Sequence, residues 1–163
     1  MGIVLLLGIF IAVAASPSDG AAYTVQVCPK YWIPFGNSCY RFFASLKTWD
    51  EAEKDCSSCE NSHSHLASIE SEDENKFVNT IWQTYNNNLV NSMYMYWIGL
   101  KRSDETWSWS DKSPYTYSNW AQGEPSKDGD CVQLKHTDNS FLTWNDYTCD
   151  AAFAYVCETS IGY

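Results

Sequence analysis

Basic residues are scarce in this sequence. Ten Lys and Arg stand against 20 Asp and Glu, which gives a formal net charge of -10 at pH 7. A field of this sign repels phosphate backbones, anionic lipids and sulfated polymers, so nucleic acid is not expected as a partner. The chain of 163 residues is too short for two domains of ordinary size, and its 45% hydrophobic content excludes an intrinsically disordered protein.

Long apolar runs are also rare. The one at positions Gly2–Ala15 spans about 14 residues, short of the ~20 that a membrane-crossing helix needs. It ends in small residues and is followed by a polar segment, which is typical of a secretory signal peptide over residues 1–15, although no Lys or Arg precedes it. We therefore expect a secreted, extracellular protein without membrane insertion, in which residues 16–27 form a short N-terminal extension.

Seven cysteines are more than a cytosolic protein of this length usually carries. In an oxidising compartment they form disulfides, and an odd number leaves one over. A zinc site at Cys56 and Cys59 would need a second ligand pair, and Cys149 and Cys157 lack metal-like spacing. The sequence therefore predicts disulfides.

Two helices are predicted from capping signals. Thr48 and Glu51 form a capping box ahead of one amphipathic segment, and Ser71 and Glu74 form another. An asparagine-rich loop follows at 86–92. Beyond it, short strands rich in Trp, Tyr, Ile and Val alternate with polar loops. Helices followed by strands indicate an α+β domain.

A series of short motifs occurs in the order found in C-type lectin-like domains. The blocks are Cys28-Pro29, Cys39-Tyr40-Arg41-Phe42, Leu66-Ala67-Ser68-Ile69, Trp97-Ile98-Gly99-Leu100, Trp107-Ser108-Trp109-Ser110-Asp111, Tyr117-Ser118-Asn119-Trp120, Gly123-Glu124-Pro125-Ser126, Asp130-Cys131-Val132, Trp144-Asn145-Asp146 and Tyr155-Val156-Cys157. Residues 28–158 thus resemble a C-type lectin, in particular the secreted invertebrate sugar-binding lectins. The resemblance implies two helices, small antiparallel sheets and a long loop region, with residues 159–163 as a tail. It assigns five aromatic residues to the core: Trp97, Trp107, Trp109, Trp120 and Tyr155.

The resemblance also implies three intrachain disulfides, Cys28–Cys39, Cys56–Cys157 and Cys131–Cys149. The segment between Cys56 and Leu66 is longer than the family spacing and contains Cys59. Counting from Trp49 selects Cys56 as the partner of Cys157, whereas counting from Leu66 selects Cys59, and the helix register favours Cys56. Cys59 is then either a buried thiol or the site of an interchain disulfide, and we favour the second.

In the sugar-binding members of this family, a Glu-Pro-Asn or Gln-Pro-Asp tripeptide with a cis proline and an Asn-Asp pair hold one Ca²⁺, to which two neighbouring sugar hydroxyls bind. The resemblance assigns the metal ligands to Glu124, Ser126, Asp128, Asn145 and Asp146. It assigns the sugar contacts to Glu124, Ser126, Asn145 and Asp146. Ser126 stands where Asn or Asp is usual, and the position of a further acidic ligand is Gly129. Asp128 is the nearest substitute, and Asp130 is the fallback.

The resemblance therefore implies a calcium-dependent lectin for a terminal hexose. Ser126 leaves the choice between galactose-type and mannose-type sugars open, with galactose slightly favoured. Since single-site binding is weak, we expect a homodimer, linked through Cys59, and an agglutinating or innate-recognition role. The sequence contains no recognisable arrangement of a nucleophile, a base and an orienting group, so we do not expect an enzyme. The alternative is a calcium-independent interaction module on the same fold that binds protein, mineral or ice.

Overall fold

The computed structural model describes residues 27–59, 63–86, 95–137 and 140–161. Within them, two helices and eight strands follow the order β1 (Ile33–Phe35), β2 (Ser38–Lys47), α1 (Trp49–Ser57), β3 (Ser64–Leu66), α2 (Glu72–Asn86), β4 (Met95–Ser103), β5 (Thr106–Trp109), β6 (Cys131–Thr137), β7 (Ser140–Tyr147) and β8 (Phe153–Ser160). None of the helices in these ranges is both long and apolar enough to cross a membrane. The predicted signal peptide and most of the asparagine-rich loop lie outside the described residues.

The eight strands form one sheet with the order β1-β2-β8-β4-β6-β7, with β3 beside β8 and β5 beside β4. The β4–β8 pair is parallel, and the other pairs are antiparallel. Strands β6 and β7 form a hairpin at the edge of the sheet, with Val132 opposite Asp146 and Cys131 opposite Tyr147. The loop that precedes β6 therefore meets the end of β7. The predicted α+β class is confirmed.

Both helices begin where the capping signals predict. At α1, Glu51 N donates to Thr48 Oγ1 and Thr48 N donates to a Glu51 carboxylate oxygen, which completes the predicted capping box. At α2, Glu74 N donates to Ser71 Oγ at 3.2 Å, but the carboxylate of Glu74 accepts the main-chain N–H of Glu70 instead of closing the box. The other oxygen of the same carboxylate accepts a hydrogen bond from Tyr40 on β2, so the position of Glu74 depends on a distant strand.

The core consists of two clusters on the two faces of the sheet. Of the five aromatic residues predicted in the core, Trp97, Trp109 and Tyr155 have no exposed surface. Trp107 and Trp120 are half-buried and pack against the larger cluster. The aromatic content of the chain is thus largely structural, as the sequence predicts.

All three implied disulfides are present, at Cys28–Cys39, Cys56–Cys157 and Cys131–Cys149. Cys56 pairs with Cys157 because the register of α1 buries Cys56 together with Trp49 and Ala52. Cys59 lies beyond the end of the helix, half-buried, and its Sγ donates to the main-chain oxygen of Asp55 at 3.4 Å.

Candidate functional site

Three of the predicted ligands lie in the loop between β5 and β6, and the other two lie on β7. Main-chain hydrogen bonds hold the loop against β7, since Trp144 N donates to Asn119 O at 2.8 Å and Ala121 N donates to Trp144 O at 2.9 Å. The Cys131–Cys149 disulfide ties the other end of the loop to the segment after β7. The loop and the strand are therefore fixed side by side.

Asp146 is fully buried near the end of β7. Its Oδ1 accepts the main-chain N–H of Ser126 and its Oδ2 accepts that of Lys127, each at 2.8 Å. Burial raises the pKa of this carboxyl group, but a hydrogen bond with the carboxyl group of Glu124 and the main-chain N–H groups of the loop outweigh burial and hold the pKa below its ordinary value. Asp146 is therefore ionised at neutral pH, with the loop wrapped around it.

Two acidic side chains meet at a single N–H group. The nitrogen of Ser126 lies 2.8 Å from Glu124 Oε2 and 2.8 Å from Asp146 Oδ1. The peptide bond between Glu124 and Pro125 is cis, as the resemblance implies. Among the described residues, no Lys or Arg nitrogen lies within 4.0 Å of either carboxylate. Two converging carboxylates without a cationic side chain attract a cation.

Asn145 and Ser126 add uncharged oxygen atoms to this pair. Asn145 is half-buried, and its Nδ2 donates to the main-chain oxygen of Asp146 at 2.7 Å, which directs the amide group to that residue. The hydroxyl of Ser126 lies 3.4 Å from Asp146 Oδ1. The structure thus brings together the side chains of Glu124 and Asp146 at Ser126, and it places the amide of Asn145 against the main chain of Asp146.

The acidic residues before Cys131 are placed differently. Asp128 is exposed, and no hydrogen bond among the described residues joins its carboxylate to the other four predicted ligands. Asp130 accepts hydrogen bonds from Arg102 Nε at 2.9 Å and from an Arg102 terminal nitrogen at 2.8 Å. Both nitrogens contact the same carboxylate oxygen, so Asp130 is engaged by Arg102 of β4, and no hydrogen bond among the described residues joins it to the other predicted ligands.

Gly129 occupies the position at which the family has a further acidic residue. A Cβ atom at this position would lie 1.8 Å from the carbonyl carbon of Tyr147 and 2.5 Å from Thr148 N. The main-chain N–H of Gly129 also contributes to the low pKa of Asp146. The path of this loop therefore requires glycine, and a main-chain donor stands where a third carboxylate is expected.

The oxygen atoms at the site suit a hard divalent cation, but we expect the site to bind it with reduced affinity. Ca²⁺ takes six to eight oxygen ligands, and carboxylate, amide, hydroxyl and main-chain oxygens all meet that requirement. In the described part of the chain, no group of three or more His, Cys, Asp or Glu side chains is arranged to hold a metal ion. Glu124 and Asp146 would hold Ca²⁺ only with help from Asn145 and Ser126, and two carboxylates in place of three lower the affinity.

A second polar cluster, which the sequence patterns did not predict, joins α2 to β2 and β8. Tyr40 donates to carboxylate oxygens of both Glu74 and Glu158. Ser68 Oγ lies 2.8 Å from Asp111 Oδ2 and 3.0 Å from Glu158 Oε2, beside a cavity of about 280 Å³. Burial and the charge of Glu74 raise the pKa of Glu158 to about 7. The capping pattern of α2 already explains a glutamate at position 74, so nothing in the sequence indicates its contacts with distant residues.

Comparisons with known proteins agree with the fold. Residues 45–159 match the Lectin C-type domain family. An alpha-N-acetylgalactosamine-specific lectin of Patiria pectinifera is 37% identical over 134 residues, which cover 79% of this chain and 78% of that one. A C-type lectin mannose-binding isoform of Oxyuranus scutellatus is 36% identical over 136 residues, covering 80% and 82% of the two chains.

A solved structure of a calcium-independent type II antifreeze protein superposes with a TM-score of 0.69 at 28% identity, covering 85% of this chain and 98% of that one. The fold thus accommodates proteins with different ligands. The match of one family over most of the described chain, together with the three disulfides and the cis proline, shows that the chain belongs to the C-type lectin family.

Proposed function

We propose that the mature chain is a secreted, calcium-dependent lectin that binds a terminal hexose, with galactose-type sugars favoured over mannose-type. The observation that carries this proposal is the convergence of Glu124 and Asp146 on the N–H of Ser126, without a cationic side chain among the described residues. The relative that is named for N-acetylgalactosamine supports a galactose-type ligand, and the mannose-binding relative makes mannose the competing sugar.

The residues of this site suit a pair of neighbouring hydroxyl groups. Bound Ca²⁺ would supply open coordination positions for them. The carboxylate of Glu124 accepts a hydrogen bond, the amide of Asn145 both donates and accepts, and the hydroxyl of Ser126 takes either role. Asp146 holds the loop in place through its main-chain partners. Asp128 would become a fifth ligand by turning its exposed carboxylate toward the other four.

The remaining expectations belong to the same proposal. Residues 1–15 form a signal peptide, 16–27 an extension and 28–158 the sugar-binding domain. Residues 159–163 form a tail, whose first two residues, Thr159 and Ser160, complete β8. Cys59 links two copies of the chain, which raises avidity for clustered glycans and supports agglutination. The chain acts by binding and not by catalysis. A dimeric band on a non-reducing gel that becomes monomeric with reductant supports the link, and a non-reduced monomer contradicts it.

Calorimetric titration tests the metal and the sugar separately. Ca²⁺ is titrated first, and galactose, N-acetylgalactosamine and mannose follow in its presence. We expect sugar binding to disappear with chelator and to return with added Ca²⁺. Asn145→Ala should lose the sugar, whereas Asp73→Ala, which removes an exposed carboxylate on α2, serves as the control and should bind as the unaltered protein does. Sugar binding that persists in chelator contradicts the proposal.

A calcium-independent interaction module is the second candidate. The loop already satisfies the carboxylate of Asp146 with main-chain N–H groups, and Gly129 leaves no room for a third acidic side chain. The antifreeze protein with the same fold is calcium-independent. Absence of any heat of Ca²⁺ binding, together with retained binding to a protein or mineral surface, would favour this candidate.

A further inference from the structure

A single residue of β7, Trp144, contacts both the second helix and the candidate site. It directly precedes Asn145 and Asp146 in the chain and has no exposed surface. Its indole Nε1–H donates to Oδ1 of Asn75 at 2.8 Å. Asn75 lies near the start of α2 and is 1% exposed. A buried hydrogen bond thus joins two elements whose bonded residues are 69 positions apart in the sequence.

This pairing is not a general feature of the buried tryptophans. In the described part of the chain, the buried Nε1 atoms of Trp32 and Trp109 have no hydrogen-bond partner. The core therefore tolerates an unpaired indole N–H group, and burial alone does not explain why Asn75 faces Trp144. Because a buried amide group is costly unless it is hydrogen-bonded, we expect this pair to hold the indole in one orientation.

Trp144 also holds the loop that contains Glu124. Its main-chain N–H donates to Asn119 O at 2.8 Å, and its main-chain oxygen accepts the N–H of Ala121 at 2.9 Å. Its ring makes an edge contact with Trp120 of the same loop, with ring centroids 5.8 Å apart. Because packed interiors transmit strain, a shift of the indole moves the loop and the backbone of the two following residues together.

The acceptor side chain belongs to a helix start that is itself anchored. Asn75 N donates to Ser71 O at 3.0 Å. The neighbouring Glu74 accepts the main-chain N–H of Glu70 at 2.7 Å and a hydrogen bond from Tyr40 on β2. The start of α2 is therefore fixed by contacts that do not involve the indole, and it offers a rigid support for β7.

We propose that Asn75 is a positioning residue of the candidate cation site, because by fixing Trp144 it sets the places of Asn145, Asp146 and the loop packed against them; this inference rests on the proposed function. Asn75 acts through Trp144 and is not itself a ligand. Groups that orient metal ligands from behind contribute about 10–100-fold to metal affinity. A site with two carboxylates depends strongly on where they are held.

The test replaces Asn75 with leucine, which has a similar size but no hydrogen-bonding group. Ca²⁺ binding is followed by NMR through the amide signals of Ser126 and Lys127, at a temperature at which each variant is fully folded. Asn75→Leu should raise the Kd for Ca²⁺ roughly tenfold. Asn75→Asp, which keeps an acceptor oxygen, should bind Ca²⁺ nearly as the unaltered protein does. If Asn75→Leu does not fold, Asn75→Ala removes the same acceptor and has the same expected result.

Asn79→Leu is the matched control. Asn79 lies one turn later on α2 and is 5% exposed, so this substitution also removes a buried amide group from the same helix. It should lower the thermal midpoint without changing the Kd for Ca²⁺. An equal rise in Kd in both leucine variants would show that the effect belongs to the helix as a whole, and the positioning role of Asn75 would be wrong.

Hydrogen exchange in the calcium-free protein gives a readout that does not depend on the ion, because local opening exposes N–H groups to exchange. Asn75→Leu should speed the exchange of Trp144 Nε1–H and of the main-chain N–H groups of Ser126 and Lys127, whose acceptor is Asp146. The control variant should leave the two loop N–H groups unchanged. Faster exchange at the indole alone would overturn the proposal, since the link would end at Trp144.

The two proposals fail in different ways. If Asn75→Leu lowers the thermal midpoint but the folded variant binds Ca²⁺ with an unchanged Kd, the positioning role is wrong and the calcium-dependent lectin stands. If Asn75→Leu has the expected effect on Ca²⁺ but the unaltered protein binds no hexose, the positioning role stands and the sugar-binding function is wrong. If the unaltered protein binds no Ca²⁺, both proposals are wrong.

Discussion

The main-chain N–H of Ser126 donates to Oδ1 of Asp146 at 2.8 Å and so joins the loop after β5 to the edge strand β7. The next residue of the loop makes an equivalent bond to the second oxygen of the same carboxylate. The loop is therefore built around a buried charge and not around an apolar side chain. Asp146 has a structural role in addition to its proposed role as a ligand.

Replacement of Asp146 should destabilise the loop as well as abolish ligand binding. Asp146→Ala leaves the N–H of Lys127 without its acceptor and the N–H of Ser126 with Glu124 Oε2 alone, and we expect a loss of about 1–3 kcal/mol in the free energy of unfolding. Asp146→Asn retains one acceptor oxygen and should cost less. Denaturant unfolding measures both. A loss no larger than that of the control Asp73→Ala would show that the loop does not depend on this carboxylate.

Removal of Glu124 should weaken Ca²⁺ binding without unfolding the loop. We expect the unaltered protein to bind Ca²⁺ with a Kd of about 10⁻⁴–10⁻³ M, because the site offers two carboxylates. Glu124→Gln removes one charge and should raise the Kd roughly tenfold, whereas Asp130→Asn, which changes a residue paired with Arg102, should leave it nearly unchanged. Calorimetric titration measures both values. Equal effects of the two substitutions would place the ion elsewhere.

An acidic residue at position 129 should not restore a stronger calcium site. Gly129→Asp introduces a Cβ atom 1.8 Å from the carbonyl carbon of Tyr147, so the loop must move and the N–H contacts to Asp146 are lost. We expect lower thermal stability and no gain in Ca²⁺ affinity. Gly123→Ala is the control, since a Cβ there meets no atom within 4 Å and carries only the cost of a positive φ of 88°. A tighter Ca²⁺ site in Gly129→Asp would show that the loop adapts freely.

Stability should fall as the pH rises toward neutrality because of Glu158. Its pKa is about 7 in the folded protein, against 4.5 for an ordinary glutamate. Between these values the folded state binds more protons than the unfolded state, so the stabilisation is complete below about pH 4.5 and is lost as the pH rises through 7. This group contributes a slope of up to about 1.4 kcal/mol per pH unit.

Glu158→Gln tests the source of this slope, because the amide does not titrate. Urea unfolding at several pH values should show a flatter profile between pH 5 and about 7 in this variant. Glu70→Gln, which changes an exposed side chain next to the same cavity, should keep the slope of the unaltered protein. If Glu158→Gln and the unaltered protein have the same profile, another group causes the pH dependence.

Local sequence patterns predicted much of the fold. The capping box of Thr48 and Glu51 begins α1 as expected, because its hydrogen bonds join residues three positions apart. The ordered motifs implied the three disulfides. The capping pattern at Glu74 predicted its contacts less completely, since the carboxylate also contacts Tyr40, which lies on a strand 34 residues earlier in the chain. A local motif does not contain that partner.

The candidate site, like the fold, could be predicted only in part from the sequence. The residue types and the order of Glu124, Pro125, Asn145 and Asp146 in the sequence pointed to a cation and a sugar, and the cis peptide agrees with that expectation. The sequence did not show that Arg102 binds Asp130 or that the loop approaches Tyr147 closely at Gly129. These contacts depend on how the loop lies against β4 and β7.

The sequence by itself determined the family, the two helix starts and the chemical character of the site, because motifs and hydrogen-bond capping act over a few residues. The tertiary structure confirmed that Cys56, which the helix register favoured over Cys59, binds Cys157, 101 residues away, and it alone decided that Asp146 is enclosed by main-chain N–H groups. Both outcomes depend on which side chains are buried when distant strands meet, and burial is a property of the packed chain.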